Sequence, residues 1–171
     1  MIKKTLEIAL NEQINAEFHS AYIYLSMSSY FLSAGLGGYA NWMRVQYQEE
    51  LAHATRFFDY LNERGGRVRL SPIGEVQVEF SGIVDVFEKT LEHEQLVTCM
   101  IDHLMDLSIQ ESDHATKSFL QWFVDEQVEE EANVDQILNN LKLIKGEGQG
   151  LLMMDREMKG RVFVNPFPAK A

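Results

Sequence analysis

The sequence is poor in the features that mark disulfide-rich or membrane proteins: it has one cysteine, three prolines and no long apolar run. Cys99 cannot form an internal disulfide, and its apolar helical neighbours predict a buried thiol in a reducing compartment. No stretch is long enough to cross a bilayer, and none of signal-peptide length follows Met1 to Thr5. We therefore expect a cytoplasmic protein.

Positive charge is also scarce, because 15 basic residues stand against 26 acidic ones and the formal net charge is -11. This balance argues against nucleic acid and anionic membrane surfaces as partners, whereas it concentrates cations near the protein. Of the 171 residues, 46% are hydrophobic and 24% are charged. These proportions suit one domain with a full core over residues 1–171.

What the sequence does contain is a helical period of apolar residues in four long segments, separated by glycines or by a longer connection. The predicted helices cover about residues 4–33, 39–64, 83–111 and 112–145, with a short fifth helix at about 149–159 and a loose tail at 160–171 marked by Pro166 and Pro168. Gly65 and Gly66 supply a left-handed cap to the second helix, and Ser81 is a candidate cap for the third.

The connection lengths predict the topology. Short turns after the first and third helices make each of them an antiparallel neighbour of the next. The second helix, at about 26 residues, is about 39 Å long. The segment from Arg67 to Gly82, a long connection or a short strand-like run at Val76 to Phe80, reaches about 50 Å when extended. We expect an all-α antiparallel four-helix bundle with one long crossover between the second and third helices and a short fifth helix.

The candidate site is centred on the stretch from Gln48 to His53. On a helix, Glu50 and His53 are three residues apart, so both project from one face and can share a metal ion. Glu50 lies on an otherwise apolar stripe, where an unpaired charge would cost several kcal/mol, roughly, or take up a proton. It therefore needs a partner elsewhere in the chain.

Each of the other long helices also carries polar groups on its apolar stripe, near its midpoint. These residues are Glu17, Glu94, Gln127 and Glu130. Midpoints of antiparallel helices meet at one level, where four carboxylates would repel one another unless a cation were present. Two divalent cations balance four charges, and oxygen ligands with one imidazole suit Fe(II) or Mn(II) better than structural zinc. The alternative is that the glutamates are exposed and their apolar stripes are drawn wrongly.

Weaker signals surround this level. Glu49, Glu126 and Glu129 could bind a third cation, although a run of glutamates is more often a solvated face. Tyr24 and Trp122 could hydrogen-bond a ligand or donate an electron, or simply belong to the core. The other histidines have no paired spacing and are expected at the surface: His19, His93, His103 and His114.

Four motifs together make the chain resemble the bacterial non-haem ferritins over nearly its whole length. They are Asn11-Glu12-Gln13 through Glu17, Gln48-Glu49-Glu50 through His53, His93-Glu94-Gln95, and Phe119-Leu120-Gln121-Trp122 through Glu126-Gln127-Val128-Glu129-Glu130-Glu131. The resemblance implies the ferritin-like fold and a hollow shell of twenty-four identical subunits. It also implies a ferroxidase that oxidises Fe(II) with dioxygen or hydrogen peroxide and stores ferric mineral.

The resemblance further implies two irons per subunit and a third site. The expected ligands are Glu17, Glu50 and His53 for the first iron; Glu50, Glu94 and Glu130 for the second, with Gln127 near the oxidant; and Glu49, Glu126, Glu129 and Glu130 for the third. Tyr24 and Trp122 match aromatic residues beside the centre.

The chain also departs from related families. Leu51 stands where a bacterioferritin has its methionine haem ligand, and Gln127-x-x-Glu130 stands where it has a second Glu-x-x-His, so no haem is expected. Lys117 and Leu120 align with acidic pore residues of animal ferritins, which counts against iron entry by that route. No motif identifies a reductase for iron release.

Two other interpretations stay open. One is a metal-free acidic helical bundle that acts as an interaction protein, for which inward glutamates have no explanation. The other is a di-iron peroxidase that shares the site but forms no storage shell.

Overall fold

The structure, a computed structural model, describes residues 1–167, and this part of the chain contains five α-helices and no β-strand. The helices are α1 (Lys4–Ser33), α2 (Gly37–Glu63), α3 (Ile83–Gln110), α4 (His114–Leu143) and α5 (Gly148–Met158). The predicted four-helix bundle with a long crossover and a short fifth helix is confirmed. None of the helices within these residues is long and apolar enough to span a membrane.

Of the two helix caps predicted from the sequence, one is found and one is not. Gly65 has a φ of 73°, in the left-handed region that favours glycine, and its amide donates to the carbonyl oxygen of Asn62 at 2.9 Å. The predicted cap at Ser81 is wrong, because Gly82 is the N-cap residue of α3 and makes no side-chain cap bond. Instead, the amide of Ser81 donates to Asp85 Oδ2 at 2.9 Å. The Asp85 carboxylate, in the first turn of α3, thus binds the backbone just before that helix.

The crossover between α2 and α3 is an irregular connection that lies along α1. Near one end of the bundle, Asn11 Nδ2 donates to the carbonyl of Arg67 at 3.1 Å. Further along, Ser26 Oγ donates to the carbonyl of Gln77 at 2.7 Å. These anchors are about four helical turns apart on α1, so the crossover runs along the bundle as its reach predicts.

Two apolar clusters fill the bundle, one towards each end. One is built around Tyr24, Phe31, Tyr39, Met43, Phe87 and Leu141. The other is built around Leu10, Ile14, Phe57, Ile101, Leu120 and Phe123. Between them, every long helix contributes buried polar residues instead of apolar ones. The core is therefore interrupted near the helix midpoints, at the level where the inward glutamates are predicted to meet.

Helix α5 is fixed to the start of α2 rather than standing apart from the bundle. The N-cap residue of α2, Leu36, makes no side-chain cap bond. Asp155 of α5 supplies one, because its Oδ1 accepts from the amides of Gly38 at 2.6 Å and Tyr39 at 3.3 Å. A Cβ on Gly38 would lie 1.6 Å from the Asp155 carbonyl oxygen, so only glycine permits this approach.

The start of the tail is held against α2, because Asn41 Nδ2 donates to the carbonyls of Met158 at 3.0 Å and Arg161 at 2.9 Å. Residues 161–165 form neither helix nor strand. Pro168 lies outside the described residues. Cys99 is exposed rather than buried, because it falls on the outer face of α3.

Candidate metal centre

The polar layer between the two apolar clusters contains all the residues predicted for the di-iron centre. Each is at most 6% exposed: Glu17, Glu50, His53, Glu94, Gln127, Glu130 and Tyr24. The alternative of exposed glutamates on wrongly drawn stripes is therefore excluded for these positions. The structure does not gather them all around one point, however, and it divides them into sets with different partners.

The first set, Glu17, Glu50 and His53, offers three ligand atoms that all lie within 4.8 Å of one another. His53 Nδ1 lies 3.4 Å from Glu50 Oε2 and 4.0 Å from Glu17 Oε2. Neither of these buried carboxylate oxygens has a hydrogen-bond partner. The other oxygen of Glu17 accepts from Gln13 Nε2 at 2.7 Å, which orients the carboxylate. Two unpartnered oxygens facing an imidazole nitrogen form a suitable site for a divalent cation.

The second set, Glu94 and Glu130, already has partners. Tyr24 donates its hydroxyl to Glu94 Oε1, and Gln127 Nε2 donates to Glu94 Oε2 at 3.2 Å. Gln46 Nε2 donates to Glu130 Oε2 at 2.9 Å. These carboxylates are held at the centre but are engaged by N–H and O–H donors. A second cation would have to compete with those hydrogen bonds.

The buried carboxyls of the centre are poor acids. Burial raises the pKa of Glu17 well above its usual range, with a further increase from Glu50 and a decrease from His53. Burial likewise raises the pKa of Glu50 well above its usual range, and Glu94 adds to this increase. Burial raises the pKa of Glu94 to about 7, with a contribution from Glu130. The layer therefore favours either protons or metal cations at these oxygens.

The third predicted set lies at the edge of this layer. Glu49 is partly buried, and its Oε2 accepts from Arg161 Nη2 at 2.7 Å. Burial raises the pKa of Glu49 to about 7, although Arg161 lowers it, while Glu130 and Glu126 raise it. Burial also raises the pKa of the partly buried Glu126, with Glu130 as the next cause. Glu129 is exposed. Glu49, Glu126 and Glu130 are thus close enough to interact, although they do not form a ready cluster.

Aromatic rings cover the imidazole side of the centre. The rings of Trp122 and Phe123 approach the His53 ring edge-on, with centroids 5.5 Å and 5.7 Å away. The ring centroid of Phe167, in the predicted loose tail, lies 6.2 Å from that of His53 and 4.4 Å from that of Trp122. His53 Nε2 is buried without a hydrogen-bond partner beside these rings.

The expectation for His93 is wrong. Its Nε2 lies 2.8 Å from Ser20 Oγ, and its ring stands edge-on to Tyr24 at 6.2 Å. Burial lowers its pKa to about 4, so it is neutral at pH 7. His103 and His114 are exposed as expected, whereas His19, like His93, is partly buried.

Sequence reasoning missed four residues that contact the centre or its edge: Gln13, Gln46, Arg161 and Phe167. The two glutamines lie four residues before Glu17 and Glu50, one helical turn away on the same face, and this spacing is a signal that could have found them. No local signal marks Arg161 or Phe167, because both reach the site through the tertiary fold.

A family model, curated relatives and solved structures all relate this chain to ferritins. The family model of the ferritin-like domain matches residues 7–144. The chain is 41% identical to a bacterial non-heme ferritin of Bacteroides fragilis over 94% of this chain and 100% of that protein. It is 40% identical to the one of Campylobacter jejuni, over 93% and 95%. An open pore ferritin from the archaeon Archaeoglobus fulgidus has 50% identity and a TM-score of 0.93, with 95% of this chain and 100% of that one covered. A form of the Archaeoglobus fulgidus ferritin engineered to be closed has a TM-score of 0.94, with 96% and 100% covered.

Proposed function

The chain belongs to the ferritin family of iron-storage proteins, and on that basis we propose that it is a ferroxidase of the bacterial non-haem type. It binds Fe(II) at a di-iron centre within each subunit, oxidises it with dioxygen or hydrogen peroxide, and deposits ferric mineral inside a shell of twenty-four copies. We also propose a cytoplasmic location, with which the exposed free thiol of Cys99 is compatible.

One observation carries this proposal: Glu17 Oε2 and Glu50 Oε2 are buried, have no hydrogen-bond partner and lie beside His53 Nδ1. A buried oxygen with no donor is costly unless a ligand satisfies it. Two carboxylates and one imidazole are ligands that suit Fe(II). Glu17, Glu50 and His53 therefore bind the first Fe(II).

The second Fe(II) binds between Glu50, Glu94 and Glu130. To reach it, the ion replaces the hydrogen bonds from Tyr24 and Gln127 to Glu94, and the one from Gln46 to Glu130. This competition makes the second position the weaker one, so the two positions fill in order. Gln127 stays beside the pair, where its amide N–H can donate to the oxidant.

Each Fe(II) loses one electron. The two electrons and two protons convert dioxygen to hydrogen peroxide, or convert hydrogen peroxide to two waters. The Tyr24 hydroxyl donates to Glu94 Oε1, so Tyr24 lies next to the proposed second iron position. Its hydroxyl keeps its proton at neutral pH, because burial and the neighbouring Glu94 raise the pKa of Tyr24 well above its usual range.

A third iron position uses Glu49, Glu126 and Glu129 with Glu130. We expect the double variant Glu49→Ala with Glu126→Ala to change iron turnover and stoichiometry while two irons still bind per subunit. If an Fe(II) titration ends at two irons in both the parent and the variant, these glutamates bind no third iron in the parent protein.

Size-exclusion chromatography followed by aerobic addition of Fe(II) tests the proposed function. A very large particle that develops ferric absorbance supports it. A small particle with the same absorbance would support a di-iron peroxidase without storage. A protein that gives no absorbance would be an interaction module. Glu50→Gln should abolish the fast phase, whereas Glu12→Gln, an exposed carboxylate of α1, should leave it unchanged.

A further inference from the structure

The segment that follows α5 returns across α2 and brings one cation to the edge of the metal centre. The start of this segment is fixed by two contacts: Asp155 of α5 binds the start of α2, and Asn41 Nδ2 donates to the carbonyl of Arg161 at 2.9 Å. The backbone of Arg161 therefore has a set position relative to α2. This position does not depend on the ion pair made by its side chain.

The guanidinium of Arg161 is held in a defined geometry. Its central carbon lies 4.7 Å from the centroid of the Trp42 ring, and its Nη2 donates to Glu49 Oε2 at 2.7 Å. The Arg161 side chain is 26% exposed and that of Glu49 is 18% exposed, so water screens the pair only in part. An arginine stacked on a tryptophan and bonded to a partly buried carboxylate is preorganised for that carboxylate.

We propose that Arg161 is the resident counter-ion of Glu49 and that it keeps the third iron position weak, so that iron passes through this position instead of remaining there. The inference rests on the proposed ferroxidase function. Iron that binds Glu49 must displace the guanidinium from Oε2. Because the competitor is attached to the same chain, it is present at a high effective concentration, and dilution cannot remove it.

Without the Arg161 guanidinium, the third position would retain the iron that it binds. Glu49 and Glu126 each interact with Glu130, and once the guanidinium is absent these carboxylates are free to close around a ferric or ferrous ion. A position on the way to a mineral must release each ion before the next one arrives. A tethered cation that returns to Glu49 after each ion leaves provides this release, with no change in the di-iron centre itself.

Anaerobic calorimetry with Fe(II) tests the proposal on the assembled protein. In Arg161→Gln, we expect the third binding event to tighten by about tenfold, the factor for loss of one charge-assisted hydrogen bond. The first two events should stay as they are in the parent. Arg161→Lys keeps the charge but loses the planar guanidinium, so it should give an intermediate affinity. Arg156→Gln removes the same charge from an exposed position of α5 and is the matched control.

The outcomes separate this proposal from the function on which it rests. A third event that appears only in Arg161→Gln, or that tightens there, supports the role of Arg161. A third event that is unchanged or weaker in Arg161→Gln overturns it, because Arg161 would then not compete with iron. Two events in both proteins, with no third, would overturn the inference and the third position together, while leaving the di-iron centre intact. Loss of all binding in the parent would overturn the ferroxidase proposal.

Discussion

Replacing Glu94 by glutamine should make the metal-free protein more stable at neutral pH, although it removes a carboxylate from the proposed second iron position. Glu94 is fully buried, and burial raises its pKa from 4.5 to about 7, with a further contribution from Glu130. Hydrogen bonds from Tyr24 and Gln127 offset only part of this effect. Ionising Glu94 in the folded protein therefore costs more free energy than ionising it in the unfolded chain.

The size and sign of the effect follow from this shift. A rise in pKa from 4.5 to about 7 corresponds to about 3 kcal/mol, at about 1.4 kcal/mol per pKa unit. Because the folded-state pKa is raised, the penalty is absent below pH 4.5, grows between pH 4.5 and 7, and is complete above pH 7. Glutamine can leave the donated N–H of Gln127 unsatisfied, at a cost of about 1 kcal/mol. The net gain at pH 8 is then about 2 kcal/mol.

Urea denaturation in the presence of a chelator, followed by circular dichroism, measures this gain. The experiment compares Glu94→Gln with the parent at pH 5 and at pH 8, at one fixed protein concentration because subunit association adds to apparent stability. Glu12→Gln, on the exposed side of α1, is the control and should show no such pH dependence. The reasoning would be refuted if Glu94→Gln and the parent differed in stability by the same amount at both pH values. The predicted difference depends on pH only because Glu94 ionises in the parent.

Three further predictions test the order of filling and the role of α5. In stopped-flow measurements, His53→Ala should sharply slow the first, fast oxidation while the shell still assembles; in anaerobic calorimetry, Glu130→Ala should spare binding of the first Fe(II). The reverse pattern would exchange the two site assignments. Asp155→Ala should cost about 1–2 kcal/mol by removing the cap of α2, and hydrogen exchange at the amide of Gly38 should detect this loss. Truncation after Gly146 should leave a helical subunit but weaken the shell on size-exclusion chromatography, and a truncated shell as stable as the parent would contradict this role for α5.

The bundle could be predicted from the sequence because its determinants are local or nearly so. A helical period is a property of neighbouring residues, and left-handed glycines such as Gly65 mark helix ends without reference to the rest of the fold. The level of the metal centre was also predictable, because midpoints of antiparallel helices must meet. The start of α3 shows the limit of this approach. The sequence predicts a cap made by the Ser81 side chain, but the hydrogen bond found there runs from the Ser81 amide to the carboxylate of Asp85.

The tail could not be predicted for the opposite reason. Its position depends on Asn41 and Gly38, which lie more than a hundred residues earlier, and no periodicity in residues 160–167 reports those contacts. Prolines close to a chain end usually indicate a loose segment. Here the segment instead brings Arg161 and Phe167 to the metal centre. The prediction that Cys99 is buried was wrong for a related reason: apolar neighbours in the sequence do not determine which face of α3 a residue occupies.

If the proposed function holds, the hydrogen-bond partners of the carboxylates indicate the direction in which iron moves between the three positions. The first position has unpartnered oxygens on Glu17 and Glu50, so an arriving ion displaces no hydrogen-bond donor of another residue there. At the second position Glu94 is engaged by neutral donors, and at the third Glu49 is engaged by the cation of Arg161. Displacing a charged partner costs more than displacing a neutral one. Affinity should therefore fall from the first position to the third, which places the most easily lost ion at the most exposed end of the path.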